Sequence, residues 1–507
     1  MPETNDKITG KIIFITIALA MGSFLNMLNA SIVNVSLTHI AGDFGMATSK
    51  STWIITSYSV AEAIVLPLIG WLTLQFGTVK QYIWSTILFA IASLLCGLSF
   101  SLSSMVAARL LQGVVGASMI PLSQTLIMKI FPKKKQGIGI AIWTMTLILG
   151  PILGPVIGGA ITDVASWRWC FYFSIPLCFL SSGVIYYMFK EDYASEKFIR
   201  VKTDVVGIFL LISGIGSLQV FLEQGTDLDW FASPSIVILA IISFMSLVIL
   251  GIWEWYHENP VINVRLFLNK NFTIGVFSLL IVSAAFYMTA VILPFWLQNV
   301  MGYTSFISGK TTATLGLPIL LLSPIIGKYT DRIDNRYITI TGFIIFTIVT
   351  VFTANYSLDV TSSYVSYTRA LSGIGLAFFF VALNNVSLGS IKPTEIVAAA
   401  GIFNFMRNLG NSIGSSLFIP LWNHSQAYHH EVLASHIHTG NPNFLPLINS
   451  IPGSIQAKLV VINGLITKES ATMGVNDVLL IAGFTTLALV PFVLLANKTT
   501  GSAQGGH

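Results

Sequence analysis

RLLQGVVGA, residues 109–117, and RALSGIGLA, residues 369–377, are one pattern written twice, 260 positions apart. Each opens on an arginine and carries glycine at its fifth position. Gly150 and Gly154 fall over Gly410 and Gly414 at the same shift, and PLIG (67–70) falls over PIIG (324–327) at nearly the same one. A constant offset across three separate motifs implies an internal duplication. In an apolar chain, parallel duplication is a transporter design, with the substrate held near the bilayer midplane between the repeats.

The chain is apolar. Of its 507 residues 54% are hydrophobic and 9% charged, with a mean hydropathy of +0.79, whereas soluble domains carry about 25% charged residues. So few charges cannot cover soluble domains of this size, and the net charge of +5 follows from loop topology rather than from a nucleic-acid partner. Stretches long enough to cross a bilayer, about 20 apolar residues, fall near 12–36, 51–74, 81–100, 104–128, 137–161, 169–189, 204–222, 234–254, 272–297, 306–328, 337–353, 362–389, 396–422 and 477–496. The first of these is too long for the core of a signal peptide and reads as a retained span. With fourteen spans and the N-terminus inside, eighteen of the 26 Lys and Arg residues fall in inside segments and four outside. That bias sets orientation and places both termini in the cytoplasm. The expected architecture is all-α: a six-helix bundle over 1–190, two inserted helices with linkers over 191–260, and a second six-helix bundle over 261–507. The last contains a long polar loop at about 423–476, read as periplasmic. Cys96, Cys170 and Cys178 lie in or beside apolar segments and read as small buried hydrophobes.

One acid stands out. TSYSVAEAIVLPLIG (56–70) is apolar or small almost throughout, yet Glu62 sits about 11 residues into the second span, near the middle of a hydrocarbon core about 30 Å thick. An ionised carboxylate there costs at least about 2.5 kcal/mol, and an intramembrane acid is by default a functional group. Arg109 is its expected partner, with the Asn29 amide at similar depth able to bond either. GPILGPVIGG (150–159) puts Gly150, Gly154 and Gly158 four residues apart on one helix face, where another backbone can approach. Pro151 and Pro155 remove backbone donors and bend that helix.

These motifs resemble the major facilitator superfamily. The glycine-proline run, Gly150, Pro151, Gly154, Pro155, Gly158 and Gly159, looks like the motif of its drug:proton antiporters, and RLLQGVVGA looks like the fourth-span motif whose arginine is tied to proton coupling. LNASIVNV (28–35), TWIITSYSVAEAI (52–64), LDWF (228–231) and NFTIG (271–275) are similar to the fourteen-span EmrB/QacA group, a resemblance that covers nearly the whole chain. It implies proton-coupled export of diverse hydrophobic toxic compounds across a bacterial inner membrane. The proton gradient would be the energy source, with no cofactor, and Glu62, Arg109, Asn29 and Gln112 would form the coupling set. It further implies a periplasmic adaptor protein and, through it, an outer-membrane channel. An exporter of one endogenous metabolite or siderophore on the same scaffold is the alternative. The chain departs from the group in having Asn29 where an aspartate is usual, Glu62 where a neutral residue is usual, and Leu74 in place of the acid after the second span. The second repeat keeps its acid in GKYTDR (327–332), making Asp331 and Arg332 candidates for a gating loop.

A polyspecific pocket is apolar and aromatic with a few polar groups. The candidates are Phe24, Asn26, Tyr58, Trp143, Met145, Phe286, Tyr287, Asn384, Phe403 and Arg407. The histidines of the 423–476 segment lack metal-ligand spacing, since HHEVLASH (429–436) is not HExxH, and that segment reads as a solvated loop that docks a partner. No phosphate-cradling loop, nucleophile or metal cluster appears, so the reading is a transporter and not an enzyme.

Overall fold

The computed structural model describes residues 10–46, 48–132, 135–196, 198, 202–330, 332–438, 446, 448–449 and 451–499. Long helices are the only way an apolar chain can satisfy its backbone in lipid without closing a barrel, and the described residues form fourteen of them. The first half comprises α1 (Gly10–Asp43), α2 (Trp53–Phe76), α3 (Thr78–Gly97), α4 (Leu102–Ile130), α5 (Gln136–Val164) and α6 (Trp169–Met188). Then come α7 (Val205–Gln224) and α8 (Pro234–Tyr256). The second half comprises α9 (Lys270–Asn299), α10 (Phe306–Thr330), α11 (Asn335–Thr353), α12 (Ser362–Leu388), α13 (Ile396–Ser435) and α14 (Ile455–Leu494). Thirteen are long and apolar enough to span a bilayer; α13 holds the fourteenth expected span within a helix of 40 residues.

The two glycine stripes bind equivalent helix pairs. A Cβ on Gly150 would come within 2.5 Å of the Met27 Cβ, and one on Gly154 within 2.5 Å of the Ser31 hydroxyl, so α5 lies directly on α1. Ser31 Oγ donates to the Pro151 carbonyl at 3.2 Å. That carbonyl is the one Pro155, four residues on, leaves without an N–H. In the second half, Gly410 and Gly414 of α13 press on the Leu280 and Ala284 carbonyls of α9. Gly159 follows on α5 and is half-buried.

The halves meet through a second set of close approaches, also paired by the repeat. A Cβ on Gly70 of α2 would lie 2.5 Å from that of Ala398 on α13, and one on Gly327 of α10 would lie 2.5 Å from the Gly137 carbonyl on α5. Gly401 adds a contact with the Leu66 carbonyl. Along α5 and α13 these contacts precede the residues that line the central cavity, so they close the space between the halves on one side of it.

The inserted helices differ in role. Only 17% of the most apolar window of α8 is buried, which leaves it facing lipid. α7 packs on α8 with one face and on α2 and α13 with another, so it straddles the two halves. The stretch 423–476, expected to be a solvated loop, is for the most part helix: α13 runs on to Ser435 and α14 starts at Ile455. Forty residues make about 60 Å of helix, twice the hydrocarbon thickness, and the extension keeps helical periodicity because it pairs with α14. His429 Nε2 sits 2.7 Å from Asp477 Oδ2, and Trp422 Nε1 donates to the Ala471 carbonyl at 2.9 Å.

Candidate functional site

Arg109 enters the first half on α4, whose start is fixed by a Ser101–Ser104 capping box. Its guanidinium is wholly buried, and two of its nitrogens make three hydrogen bonds. Nη1 donates to Gln112 Oε1 at 2.6 Å and to Asn29 Oδ1 at 3.1 Å, and Nε donates to the Ile54 carbonyl at 3.2 Å. The Tyr58 ring lies 4.2 Å from its carbon centre. Gln112 passes the network on, donating to Ser93 Oγ at 2.8 Å. Three of the four expected coupling residues, Arg109, Asn29 and Gln112, are therefore one cluster.

Glu62 does not bond Arg109, Asn29 or Gln112; its side-chain partner is Asn26. It is buried on α2, 5% exposed, and its Oε1 has no hydrogen-bond partner. Among the described residues, no ion pair within 4.0 Å joins Glu62 to Arg109. This corrects the expected Glu62–Arg109 pair: neutral amides occupy the arginine, and Glu62 faces the seam between the halves. There the cation acting most strongly on it is Arg407 of α13, ahead of Arg109.

Arg407 lines the central cavity, an apolar space of about 290 Å³ between the halves. Of the expected pocket residues, Trp143, Phe286, Tyr287, Asn384, Phe403 and Arg407 are on its wall. Four are not. Asn26 and Tyr58 are consumed inside the first half, where Tyr58 Oη donates to Asn26 Oδ1 at 2.9 Å and Asn26 Nδ2 to the Gly116 carbonyl at 2.7 Å. Phe24 packs among α1 and its neighbours, and Met145 packs against the main apolar core. Sequence reasoning missed Arg369, Asn34 and Asn411, which do line the cavity. The signal for Arg369 was its match to Arg109 in the repeat.

A half-buried carboxylate, Glu223, also went unused, because it falls at a helix end. That end of α7 lies in the seam: Glu223 Oε1 accepts from Gln219 Nε2 at 3.0 Å and from Ser412 Oγ of α13 at 3.5 Å. Gln224 Nε2 reaches Thr56 Oγ1 of α2 at 3.0 Å.

The loops after α2 and α10 are built differently. Asp331 lies outside the described residues, and Arg332 is exposed at the turn. The ion pair there is Asp334 with Arg336, 2.6 Å apart; Asp334 caps α11, and Arg336 also donates to the Ala496 carbonyl at 2.8 Å. In the first half, where Leu74 replaces the acid, Glu196 from the linker after α6 accepts from the Val79 and Lys80 backbone N–H groups at 3.0 Å each and caps α3. Gly77 takes a φ of +84° at that corner, which only glycine adopts readily. Among the described residues, no three His, Cys, Asp or Glu side chains are grouped to hold a metal ion.

The arrangement is a membrane-embedded cavity between two pseudo-equivalent bundles, with buried ionisable groups at its wall. Comparison with known proteins agrees. Residues 19–415 match the Major Facilitator Superfamily. The multidrug export protein EmrB of Escherichia coli (strain K12) is 34% identical over 98% of this chain and 97% of its own length. The fatty acid resistance protein FarB of Neisseria gonorrhoeae is 34% identical over 97% of this chain and 98% of its own. The human organic anion transporter MFSD10 shares the fold at 13% identity, with a TM-score of 0.55 over 94% of this chain and 100% of that one. The chain therefore belongs to the major facilitator superfamily, alongside the EmrB multidrug exporters: it is a multi-pass membrane transporter and not an enzyme.

Proposed function

We propose that this protein exports structurally diverse hydrophobic toxic compounds across a bacterial inner membrane in exchange for protons, with Glu62 as the proton carrier and both termini cytoplasmic. The observation that carries the proposal is the Glu62 carboxyl group, buried at the seam with an oxygen that has no partner. A buried carboxylate with no ion pair and an oxygen left without a hydrogen bond is costly when charged and tolerable when protonated. Its charge state thus bears on whether α2 and α13 stay together. Deprotonated, Glu62 is held toward Arg407 across the seam. Protonated, it releases that cation, and the halves are free to repack around the cavity. Relatives that include multidrug export proteins at full length support the export reading. A periplasmic adaptor and an outer-membrane channel are the proposed partners, with the projecting part of α13 and α14 as the surface that meets the adaptor.

The test is proton release from purified protein when a transported compound is added. Wild type releases protons into weakly buffered solution, and Glu62→Gln releases at least one fewer per substrate bound. Equal release from the two proteins would sink the assignment of Glu62.

A further inference from the structure

The repeat relates two buried arginines that the structure treats very differently. Arg369 stands on α12 seven residues after its first, about 10 Å along the axis, and is only 4% exposed. Its one side-chain hydrogen bond is from Nη1 to Thr289 Oγ1 at 3.5 Å, and its Nε is buried without a partner. Among the described residues, the ionisable side chain acting on it is the Tyr356 phenol, itself bonded to Thr368 at 2.6 Å. A desolvated cation without counterion or saturating acceptors costs several kcal/mol. Arg109, in the matching position, meets that cost with Asn29, Gln112, Ile54 and Tyr58. Arg369 has no such set, and it forms part of the cavity wall.

The rest of that wall is mostly apolar and aromatic, including Ile148, Ile152, Leu279, Phe286 and Phe403, with Arg407 and the amides of Asn34, Asn384 and Asn411 among it, and among the described residues no Asp or Glu lines it. We propose that the cavity takes amphipathic organic anions, carboxylates or sulfonates with an apolar body, and that Arg369 binds the anionic head. A guanidinium bonds such a group through two parallel N–H donors, and burying the anion there neutralises a charge the protein leaves open. The inference rests on the export reading and deepens it.

Arg407 also reaches the cavity, but Glu62 acts on it. An anion bound at Arg407 would compete with the Glu62 carboxylate, so substrate and proton would load together and exchange would be lost. The head group therefore belongs to Arg369, away from the coupling acid.

The experiment is calorimetric binding to the full-length protein in nanodiscs of zwitterionic lipid at pH 7, with octanesulfonate, octyltrimethylammonium and octanol as probes. The tail is constant and only the head changes. Octanesulfonate is expected to bind wild type at least tenfold more tightly than either other probe. Arg369→Gln should lose that tenfold advantage, Arg369→Lys keep most of it, and Arg407→Gln keep it. Equal binding of the three probes to wild type overturns the proposal, as does an anion preference that survives Arg369→Gln. If Arg369→Gln does not fold, the wild-type comparison together with Arg369→Lys decides. Repeating the titration with anionic lipid in the disc should leave octanesulfonate affinity unchanged; a tenfold fall would assign the site to a lipid head group and overturn the substrate assignment. Binding needs no gradient, so an anion preference found without proton-driven transport supports the site and fails the coupling. Transport without an anion preference fails only the site.

Discussion

Arg109 and Arg369 open the same repeated motif on equivalent helices, α4 and α12, yet one is enclosed and the other left open. Around Arg109 the first half places two amides, a carbonyl and an aromatic face. Around Arg369 the second half places one distant hydroxyl and the cavity. Duplication preserved the cation in both halves, and its surroundings diverged. A buried charge held by several neutral dipoles is a structural element, whereas one with a single long hydrogen bond at a cavity is a site waiting for a ligand. The loops diverged in the same way. The second half closes its α10–α11 turn with the local pair Asp334–Arg336, while the first half, lacking that acid, recruits Glu196 from the far linker.

The largest expected effect comes from exchanging the two arginines' neutral variants. Arg109→Gln should destabilise the protein by about 3 kcal/mol or more, since it strands buried acceptors on Asn29, Gln112 and Ile54. Arg369→Gln should leave the melting temperature in detergent unchanged or raise it. Equal losses would erase the distinction between the two halves. Next comes the α1–α5 contact: Gly154→Val drives two methyl groups into Ser31 and should cost about 1–3 kcal/mol, read as the same melting shift. Smaller again is Glu196→Gln, which weakens the cap on α3 and should cost about 1 kcal/mol. Its effect should be local, seen as faster amide exchange at Val79 and Lys80, with no such change in the α10–α11 turn.

The smallest effect concerns a first-half clamp at the far end of α1. Asp43, half exposed, accepts from Trp167 Nε1 and Arg168 Nη1 at 2.8 Å each. The Trp167 bond, then the Arg168 bond, holds its carboxyl below the usual carboxylate range. Because the folded-state value is lowered, the clamp's contribution is fully present above the unfolded value, about 3.9, and is lost as pH falls through the folded one. Asp43→Asn should therefore reduce the melting temperature slightly and uniformly from pH 5 to 8, and the difference from wild type should shrink below about pH 4.

Much of the fold was legible because hydropathy is a local sum: a stretch such as 234–254 announces a span whatever it packs against. The repeat was equally legible, since glycine needed for close approach cannot be exchanged for a larger residue. Six cavity residues could be placed from the helices they ride on. The partners of the charged groups could not be read. One residue's difference turns a side chain by about 100° around its helix, so whether Glu62 faces Arg109 or Arg407 depends on helix rotation and on what else occupies the arginine. Asn29 decided that question by bonding Arg109 itself. Tyr58 and Asn26, polar and mid-span, looked equally fit for the pocket and were consumed by each other. Glu223 falls at the end of α7, and only the packing of that helix against both α2 and α13 brings it to Ser412. The 423–476 segment looked like a loop because of its polar residues, His424, His429, His430, His436 and His438 among them, which a helix projecting beyond the bilayer carries equally well.

The most direct measurement of the central claim is uphill transport of a lipophilic dye into proteoliposomes under an imposed pH gradient, comparing wild type with Glu62→Gln. The account predicts that wild type concentrates the dye against its gradient, that Glu62→Gln only equilibrates it, and that Glu62→Asp retains part of the uphill component. Concentration by Glu62→Gln to the wild-type level would contradict it.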